Sequence, residues 1–308
     1  MLNYLKYFVF SLLALWLASY FIPLPTPSFD SLYTKVDTAS KSLKEFRARP
    51  LKKILLDDLT WEYYAGGTGD KCILLIHGMG GTYDIWGNQI QFFETEYKVI
   101  SYTLPDEVHS LEECKNGLMT ILNQEGIEKV MVIGTSMGGY IAQYLIETDP
   151  DRIEKAILSN TFPPNDLIEK TNGFTRKTIP ILPSILVEKL AERNLKKVVI
   201  PASENSELLE AFLLSVPFSK KSLANRFDIL TDSFVPDRLD EKKMRIPKLI
   251  VESDNDPLID PELRSALKIL YPESLVYTFR NKGHFPYVNT VKEYNEVVEA
   301  FLKTKPQE

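Results

Sequence analysis

Short apolar runs alternate with amphipathic stretches along most of the chain. The runs 72–76 and 130–133 are entirely apolar, which is typical of strands that helices cover on both faces, and residues 153–158 are predicted as a further strand. Stretches such as 110–123 and 138–148 show helical periodicity instead. This alternation predicts an α/β fold in which a mostly parallel central sheet carries helices on both faces.

The strand and helix rhythm stops between residues 161 and 240 and then returns. The interrupted region contains repeated prolines separated by amphipathic stretches, which favours an inserted helical lid. We therefore predict a first core segment at 28–160, a lid at 161–240 and a second core segment at 241–308. Residues 1–27 precede the core as a separate hydrophobic segment with a proline-rich spacer.

That N-terminal segment contains an uncharged run, residues 7–22, directly after Lys6. At about 1.5 Å per residue a helix of this length falls a little short of a ~30 Å bilayer core, and flanking leucines extend it. Trp16 and Tyr20 suit a membrane interface. The run predicts a single-pass anchor and a membrane-associated protein, with the membrane face left open and a cleaved signal peptide as the alternative.

The amino-acid composition argues against some classes of function. The chain has 308 residues and a formal net charge of −6, whereas nucleic-acid-binding proteins usually carry a basic surface. The two cysteines, Cys72 and Cys114, do not have the spacing of a zinc site. We therefore expect no nucleic-acid partner, no metal and no cofactor.

The motif with the clearest chemistry is Gly-Thr-Ser-Met-Gly-Gly at residues 134–139. It follows an apolar strand and opens a helix, which is the context of a nucleophile elbow. In such a turn the serine hydroxyl rises above the end of the strand, close to a helix N-terminus that favours negative charge. Ser136 is therefore the predicted catalytic nucleophile.

A serine needs a base, and the chain offers three histidines, His77, His109 and His284. In this kind of site the chain order is serine, acid, histidine, so the base must follow Ser136. His284 alone does, in a loop between the last predicted strand and the last helix. We therefore predict His284 as the base and assign His77 a structural role.

The acid is expected after the strand that ends near residue 253. Asp254 and Asp256 both lie there. Asp256 heads an Asp-Pro-Leu-Ile turn one step beyond the strand and is the preferred choice. Asp254 remains the alternative, with a turn-closing role expected for its side chain.

Two backbone N–H groups are expected to form the oxyanion hole. One belongs to Met137, the residue after the nucleophile. The other comes from the loop His-Gly-Met-Gly-Gly at 77–81, where Met79 is the preferred donor and Gly80 the alternative.

These four motifs, in this order, resemble the α/β-hydrolase superfamily over residues 51–302. The resemblance implies the α/β-hydrolase fold and a serine hydrolase that acts on a carboxylic ester. An apolar stretch of the predicted lid, residues 179–190, adds a small-molecule ester with lipid-like character as the expected substrate.

Within the superfamily the chain is similar to the maspardins, at residues 50–54, 57–58, 61, 270–272 and 285–287. That resemblance implies an alternative function, because maspardins are regarded as binding members of the fold without turnover. They depart from the hydrolase pattern at the acid and histidine positions. This chain carries Asp256 and His284 there, so an intact Ser-Asp-His triad is the expectation.

Overall fold

The computed structural model describes residues 2–304, which contain an eight-stranded sheet. The strand order is β1-β2-β4-β3-β5-β6-β7-β8; β1–β2 and β2–β4 pair antiparallel, and all other neighbours pair parallel. The mostly parallel sheet predicted from the apolar runs is confirmed. The strands are β1 (Lys52–Leu56), β2 (Leu59–Gly66), β3 (Cys72–Ile76), β4 (Lys98–Thr103), β5 (Val130–Thr135), β6 (Ile153–Ser159), β7 (Lys248–Ser253) and β8 (Leu275–Phe279).

Helices fill the connections between the strands, as the periodicity predicts. They are α1 (Leu2–Ala18), α2 (Phe29–Leu32), α3 (Thr38–Arg47), α4 (Gly87–Phe93), α5 (Leu111–Gln124), α6 (Met137–Thr148), α7 (Leu167–Thr178), α8 (Ser184–Asn194), α9 (Glu207–Leu214), α10 (Lys220–Thr231), α11 (Glu241–Arg245), α12 (Pro261–Leu270), α13 (Pro286–Asn289) and α14 (Val291–Leu302).

The sheet has a hydrophobic core on each face. In β3, Leu74 and Ile76 join the core that α5, α6 and α12 cover, whereas Ile73 and Leu75 join the core beneath α3, α4 and α14. Successive side chains of a strand point to opposite faces, so a strand buried on both sides must be apolar at every position. The fully buried β3 meets this requirement, and so does the fully buried β5 over its first four residues, 130–133.

Strands β4 and β5 both pair with β3, on its two opposite edges, so the chain changes direction along the sheet there. In open α/β sheets the crevice beyond the carboxyl ends of the strands at such a point is where ligands bind. The loops that carry the predicted site residues follow β3, β5, β7 and β8. The topology therefore brings them to one edge of the sheet.

The segment between β6 and β7 contains helices α7 to α11 and, among its described residues, no strand. This agrees with a helical insertion into the core. The exact boundaries at 27, 160 and 240 stay predictions. Met1 and residues 305–308, at the ends of the first and last predicted segments, lie outside the described residues.

The N-terminal membrane anchor is a prediction that the structure contradicts. Helix α1 ends at Ala18, a short 3₁₀ turn follows, and Ile22 is already extended. The helix has 17 residues, or about 25 Å, where a ~30 Å bilayer core needs about 20. Throughout residues 2–304, no helix combines the length and apolar character that crossing a membrane requires. The single-pass anchor and the membrane localisation built on it are therefore wrong.

Tyr20, just after α1, contacts the helical insertion. The Tyr20 hydroxyl donates to the carbonyl oxygen of Ile181, and the Lys220 ammonium lies 5.7 Å from the centre of the Tyr20 ring. Lys220 also donates to the Leu182 carbonyl oxygen at 2.9 Å. These contacts tie residues just after α1 to the segment between α7 and α8.

Candidate active site

Ser136 lies at the sharp turn between β5 and α6, with φ 54° and ψ −122°. A residue other than glycine held in such a region costs of order 1–3 kcal/mol, and this strain is typical of a nucleophile elbow. The Ser136 N–H donates to the Ser159 carbonyl oxygen at 3.0 Å, which fixes the turn against β6. The serine is half-buried at the carboxyl edge of the sheet.

Two glycines of the motif are required by close backbone approach. A Cβ atom on Gly134 would lie 2.2 Å from the Gly138 carbonyl oxygen. A Cβ atom on Gly138 would lie 2.1 Å from the Ile76 carbonyl oxygen. Both distances are far below van der Waals contact, so only glycine lets α6 start this close to β3 and β5.

His284 and Asp256 lie side by side, although 28 positions separate them in the sequence. His284 Nδ1 and Asp256 Oδ2 are 2.9 Å apart, and both side chains are almost completely buried. Asp256 follows β7 and His284 follows β8, so the pairing of these two strands brings the residues together. Each of the two therefore lies where a triad acid and base are expected.

The environment of Asp256 favours a charged carboxylate. Its Oδ1 accepts from the N–H groups of Leu258 at 2.9 Å and Ile259 at 3.3 Å. Burial by itself raises the pKa of Asp256, but the charge and hydrogen bond of His284 outweigh it, with further donors helping, and the net pKa is lowered. By contrast, the Asp254 carboxylate accepts from the Asn281 N–H at 2.8 Å, so it joins the loops after β7 and β8 instead of closing its own turn as predicted.

His284 Nδ1 is committed to Asp256, so Nε2 is the ring nitrogen that remains for Ser136. In the described part of the chain no hydrogen bond joins Ser136 Oγ to His284. Such bonds are often long without substrate and tighten in the reacting complex. Ser136 and the His284–Asp256 pair thus share one sheet edge, without a hydrogen bond between Ser136 and His284 in the described residues.

The loop after β3 lies directly against the nucleophile. A Cβ atom on Gly78 would lie 3.0 Å from Ser136 Cβ and 3.6 Å from its Oγ. Met79 follows in this loop and is partly buried, whereas Gly80 is exposed. Met137 is the first residue of α6, where helix N–H groups lack helical partners. The two expected oxyanion donors therefore belong to segments that flank Ser136.

His77 has the structural role that its position predicts. Its Nε2 accepts from the Leu104 N–H at 3.2 Å, so Nδ1 carries the proton and donates to the Gly78 carbonyl oxygen at 2.8 Å. The ring is buried, and burial lowers the pKa of His77 to about 4. A neutral imidazole thus joins the loop after β3 to the end of β4.

This buried histidine makes stability sensitive to acid. His77 binds a proton near pH 6.5 when unfolded but only near pH 4 when folded, so its stabilising contribution is complete above pH 6.5 and is lost as pH falls towards 4. The expected loss is about 3 kcal/mol. Urea unfolding at pH 7 and pH 4 measures it. The free energy of unfolding should differ less between the two pH values in His77→Gln than in the wild type. The control His109→Gln, at an exposed position, should show the wild-type difference. Equal differences in all three proteins would refute the role of His77.

Sequence reasoning missed two residues that follow β6. Asn160 Nδ2 donates to Asp256 Oδ2 at 2.9 Å, and Thr161 Oγ1 donates to the Ser136 carbonyl oxygen at 2.6 Å. Their position at the carboxyl end of a strand next to β5 was the available signal. Because no triad role is assigned to the loop after β6, the sequence pattern does not single these two residues out.

The helical insertion contacts two loops of the site. The His284 N–H donates to the Ala202 carbonyl oxygen at 2.7 Å. A Cβ atom on Gly80 would lie 3.9 Å from Leu213 in α9. Residues of the insertion therefore contact both the histidine loop and the loop expected to bind the oxyanion.

The described residues contain no group of three or more His, Cys, Asp and Glu side chains that could hold a metal ion. Cys72 and Cys114 are free thiols buried in β3 and α5. Burial raises the pKa of both to about 12.

Comparison with known proteins agrees with this architecture. A family described as alpha/beta hydrolase fold matches residues 107–199. A solved hydrolase from Pseudomonas aeruginosa PA01 superimposes with a TM-score of 0.71 at 17% identity, covering 83% of this chain and 100% of that one. The chain has the α/β-hydrolase fold.

Curated relatives of this α/β-hydrolase-fold chain include maspardins. Maspardin from Danio rerio is 25% identical over 268 residues, which covers 82% of this chain and 83% of the relative. A pimeloyl-[acyl-carrier protein] methyl ester esterase from Vibrio campbellii is 24% identical over 241 residues, covering 75% of this chain and 93% of the relative. The fold and the similarity to maspardins predicted from the motifs are confirmed.

Proposed function

We propose that this protein is a serine hydrolase that cleaves carboxylic esters through an acyl-enzyme on Ser136. The observation that carries the proposal is the buried hydrogen bond of 2.9 Å between His284 Nδ1 and Asp256 Oδ2. In a serine hydrolase the buried acid holds the histidine so that its other ring nitrogen can accept the serine proton. Ser136, strained at its elbow on the same sheet edge, is the nucleophile that such a base serves.

In the proposed reaction His284 Nε2 takes the proton of Ser136 Oγ as this oxygen attacks the ester carbonyl carbon. The carbonyl oxygen becomes negative and accepts hydrogen bonds from the N–H groups of Met79 and Met137. His284 then donates its proton to the leaving alkoxide oxygen, and the C–O bond breaks to give an alcohol and an acyl-enzyme. Water, deprotonated by His284, then attacks the acyl carbon. The bond from this carbon to Ser136 Oγ breaks as His284 returns the proton to Ser136 Oγ, which releases the acid, while Asp256 stabilises the imidazolium in both halves.

The relatives support two candidate functions. The Vibrio campbellii relative is a methyl ester esterase by name, which supports ester hydrolysis. The maspardin similarity supports a binding protein that keeps the fold without turnover. Hydrolysis is the better supported of the two, because a binding protein has no need of a buried Asp256–His284 pair beside a strained serine.

The proposed substrate class is a small-molecule ester. The apolar stretch at residues 179–190 was the reason to expect a lipid-like ester. In the structure Ile179 and Val187 of this stretch are buried, whereas Ile181 and Leu190 are exposed. Only part of it therefore faces the protein interior. The proposed substrate is therefore stated only as a small-molecule ester, and the acyl length is to be measured.

Hydrolysis of p-nitrophenyl esters from acetate to laurate tests the proposal. We expect turnover of at least one ester of this series by the wild type. Circular dichroism confirms that the protein is folded in the same sample. A folded wild type that turns over none of these esters would exclude ester hydrolysis and leave the binding function.

A further inference from the structure

Asn160 is a buried residue directly after β6, with φ 44°. Its Nδ2 donates to Asp256 Oδ2 at 2.9 Å and to the Gly283 carbonyl oxygen at 3.3 Å. Its Oδ1 accepts from the Ser159 hydroxyl at 3.3 Å. Two acceptors on one side and a donor on the other fix the orientation of this amide.

The amide meets the oxygen of Asp256 that also receives His284. Asp256 Oδ2 thus accepts two hydrogen bonds, from Asn160 and from His284 Nδ1, each 2.9 Å long. A donor on a carboxylate stabilises its charged form and fixes its direction. The second bond of Asn160, to Gly283, holds the residue just before His284. One side chain therefore restrains both members of the pair.

We propose that Asn160 is a positioning residue of the active site, which sets the orientation and charge balance of the Asp256–His284 pair; this rests on the proposed hydrolase function. Asn160 does not contact the reacting atoms. It acts through Asp256, whose carboxylate must hold the imidazole in the tautomer that accepts the serine proton.

The residues on either side of Asn160 hold the nucleophile. The Ser159 carbonyl oxygen accepts from the Ser136 N–H at 3.0 Å, and Thr161 Oγ1 donates to the Ser136 carbonyl oxygen at 2.6 Å. Three consecutive residues, the last of β6 and the two that follow it, thus contact the serine turn, the acid loop and the histidine loop. This explains how parts from distant sequence positions keep a common geometry.

The other charged side chains near the pair make different contacts or face solvent. Asp254 accepts from the Asn281 N–H, and Asp260 accepts from the Glu262 N–H at the start of α12. Arg264 of α12 donates to the carbonyl oxygens of Ser253 and Asp254, Lys282 donates to Glu204, and Arg280 is exposed. A change in pH behaviour on mutation of Asn160 therefore reports on the Asp256–His284 pair.

Asparagine also tolerates positive φ, so the backbone alone is a competing explanation for this residue. Two variants separate the explanations. Asn160→Gly removes the side-chain amide and still allows the positive φ of this residue. Asn160→Asp keeps the shape of the side chain and its tolerance of positive φ, but replaces the amide donor with a carboxylate. Asn205, with φ 58° and an exposed side chain, supplies the matched control Asn205→Gly.

The experiment is the rate of labelling by a fluorophosphonate between pH 5 and pH 9, with thermal unfolding as a check of the fold. We expect Asn160→Gly to label about ten- to a hundredfold more slowly than the wild type at pH 7, because a hydrogen bond to a charged group is lost. The acid limb of the pH–rate profile should move to higher pH in Asn160→Gly. It should move further in Asn160→Asp, by about one pH unit or more, because the added negative charge favours protonated His284. Asn205→Gly should match the wild type.

The possible outcomes separate the role of Asn160 from the proposed hydrolase function. A labelled wild type together with folded Asn160 variants that keep its rate and pH profile would overturn the role of Asn160 alone. A folded wild type that is not labelled at any pH would overturn the hydrolase function and this inference together. A rate loss in Asn160→Gly with an unmoved pH profile in both variants would reduce Asn160 to a packing residue and also reject the inference.

Discussion

Replacing Ser136 with alanine is expected to lower kcat/KM for a p-nitrophenyl ester by at least about 10⁴-fold. The substitution removes the atom that forms the acyl bond, and the base and oxyanion donors left behind have no nucleophile to act on. The variant should keep the stability of the wild type, because Ser136 Oγ makes no hydrogen bond to His284 in the described part of the chain. Initial rates at saturating and subsaturating ester measure the effect.

Ser253→Ala is the matched control for this experiment. Ser253 ends β7 at the same edge of the sheet, and its buried hydroxyl has no hydrogen-bond partner among the described residues. We expect it to retain activity within a few-fold of the wild type. Equal activity of Ser136→Ala and the wild type would show that turnover, if present, uses another group.

Asp256→Asn is expected to lower kcat by about 10⁴-fold at neutral pH. The amide that replaces the carboxylate presents a donor to His284 Nδ1, which favours the tautomer with its proton on Nε2, where no proton can be accepted from Ser136. The imidazolium formed during the reaction also loses its negative neighbour. Activity should recover partly at high pH, where hydroxide can replace the missing base.

Asp254→Asn separates this account from the alternative acid. Asp254 is two residues away and accepts from the Asn281 N–H, not from a histidine. We expect it to change kcat by only a few-fold and to affect mainly stability. A large loss in Asp254→Asn with little loss in Asp256→Asn would reverse the assignment.

The sequence predicted the architecture well because strong local signals coincide with it. Fully apolar runs identified β3 and β5, and the glycines at 134 and 138 occupy positions where a side chain cannot fit. The assignment of His77 was accessible too, because only His284 follows the serine in the chain. These inferences depend on order and residue type, which a sequence contains.

Other features were not accessible from the sequence. The uncharged run at the N-terminus looked continuous, but its helix ends at Ala18 and falls short of a membrane span, since hydropathy does not report where a helix stops. The role of Asn160 depends on β6 lying between β5 and β7 in the sheet. A contact of this kind follows from strand order, to which no local pattern points.

The comparison with maspardins sharpens the functional question. Maspardin similarity extends over most of the chain, and so the fold cannot choose between binding and catalysis. The choice depends on Ser136, Asp256 and His284, together with the amide of Asn160, which donates to Asp256 and to the Gly283 carbonyl oxygen. The functional question therefore concerns the residues at the carboxyl edge of the sheet.

Active-site labelling tests the central proposal most directly. The folded wild type is incubated with a fluorophosphonate, and intact-mass and peptide mass spectrometry locate the adduct. The account predicts one adduct per chain on the peptide that contains Ser136, none in Ser136→Ala, and strongly slowed labelling in His284→Ala. A folded wild type that gains no adduct, or gains one that persists in Ser136→Ala, would contradict it.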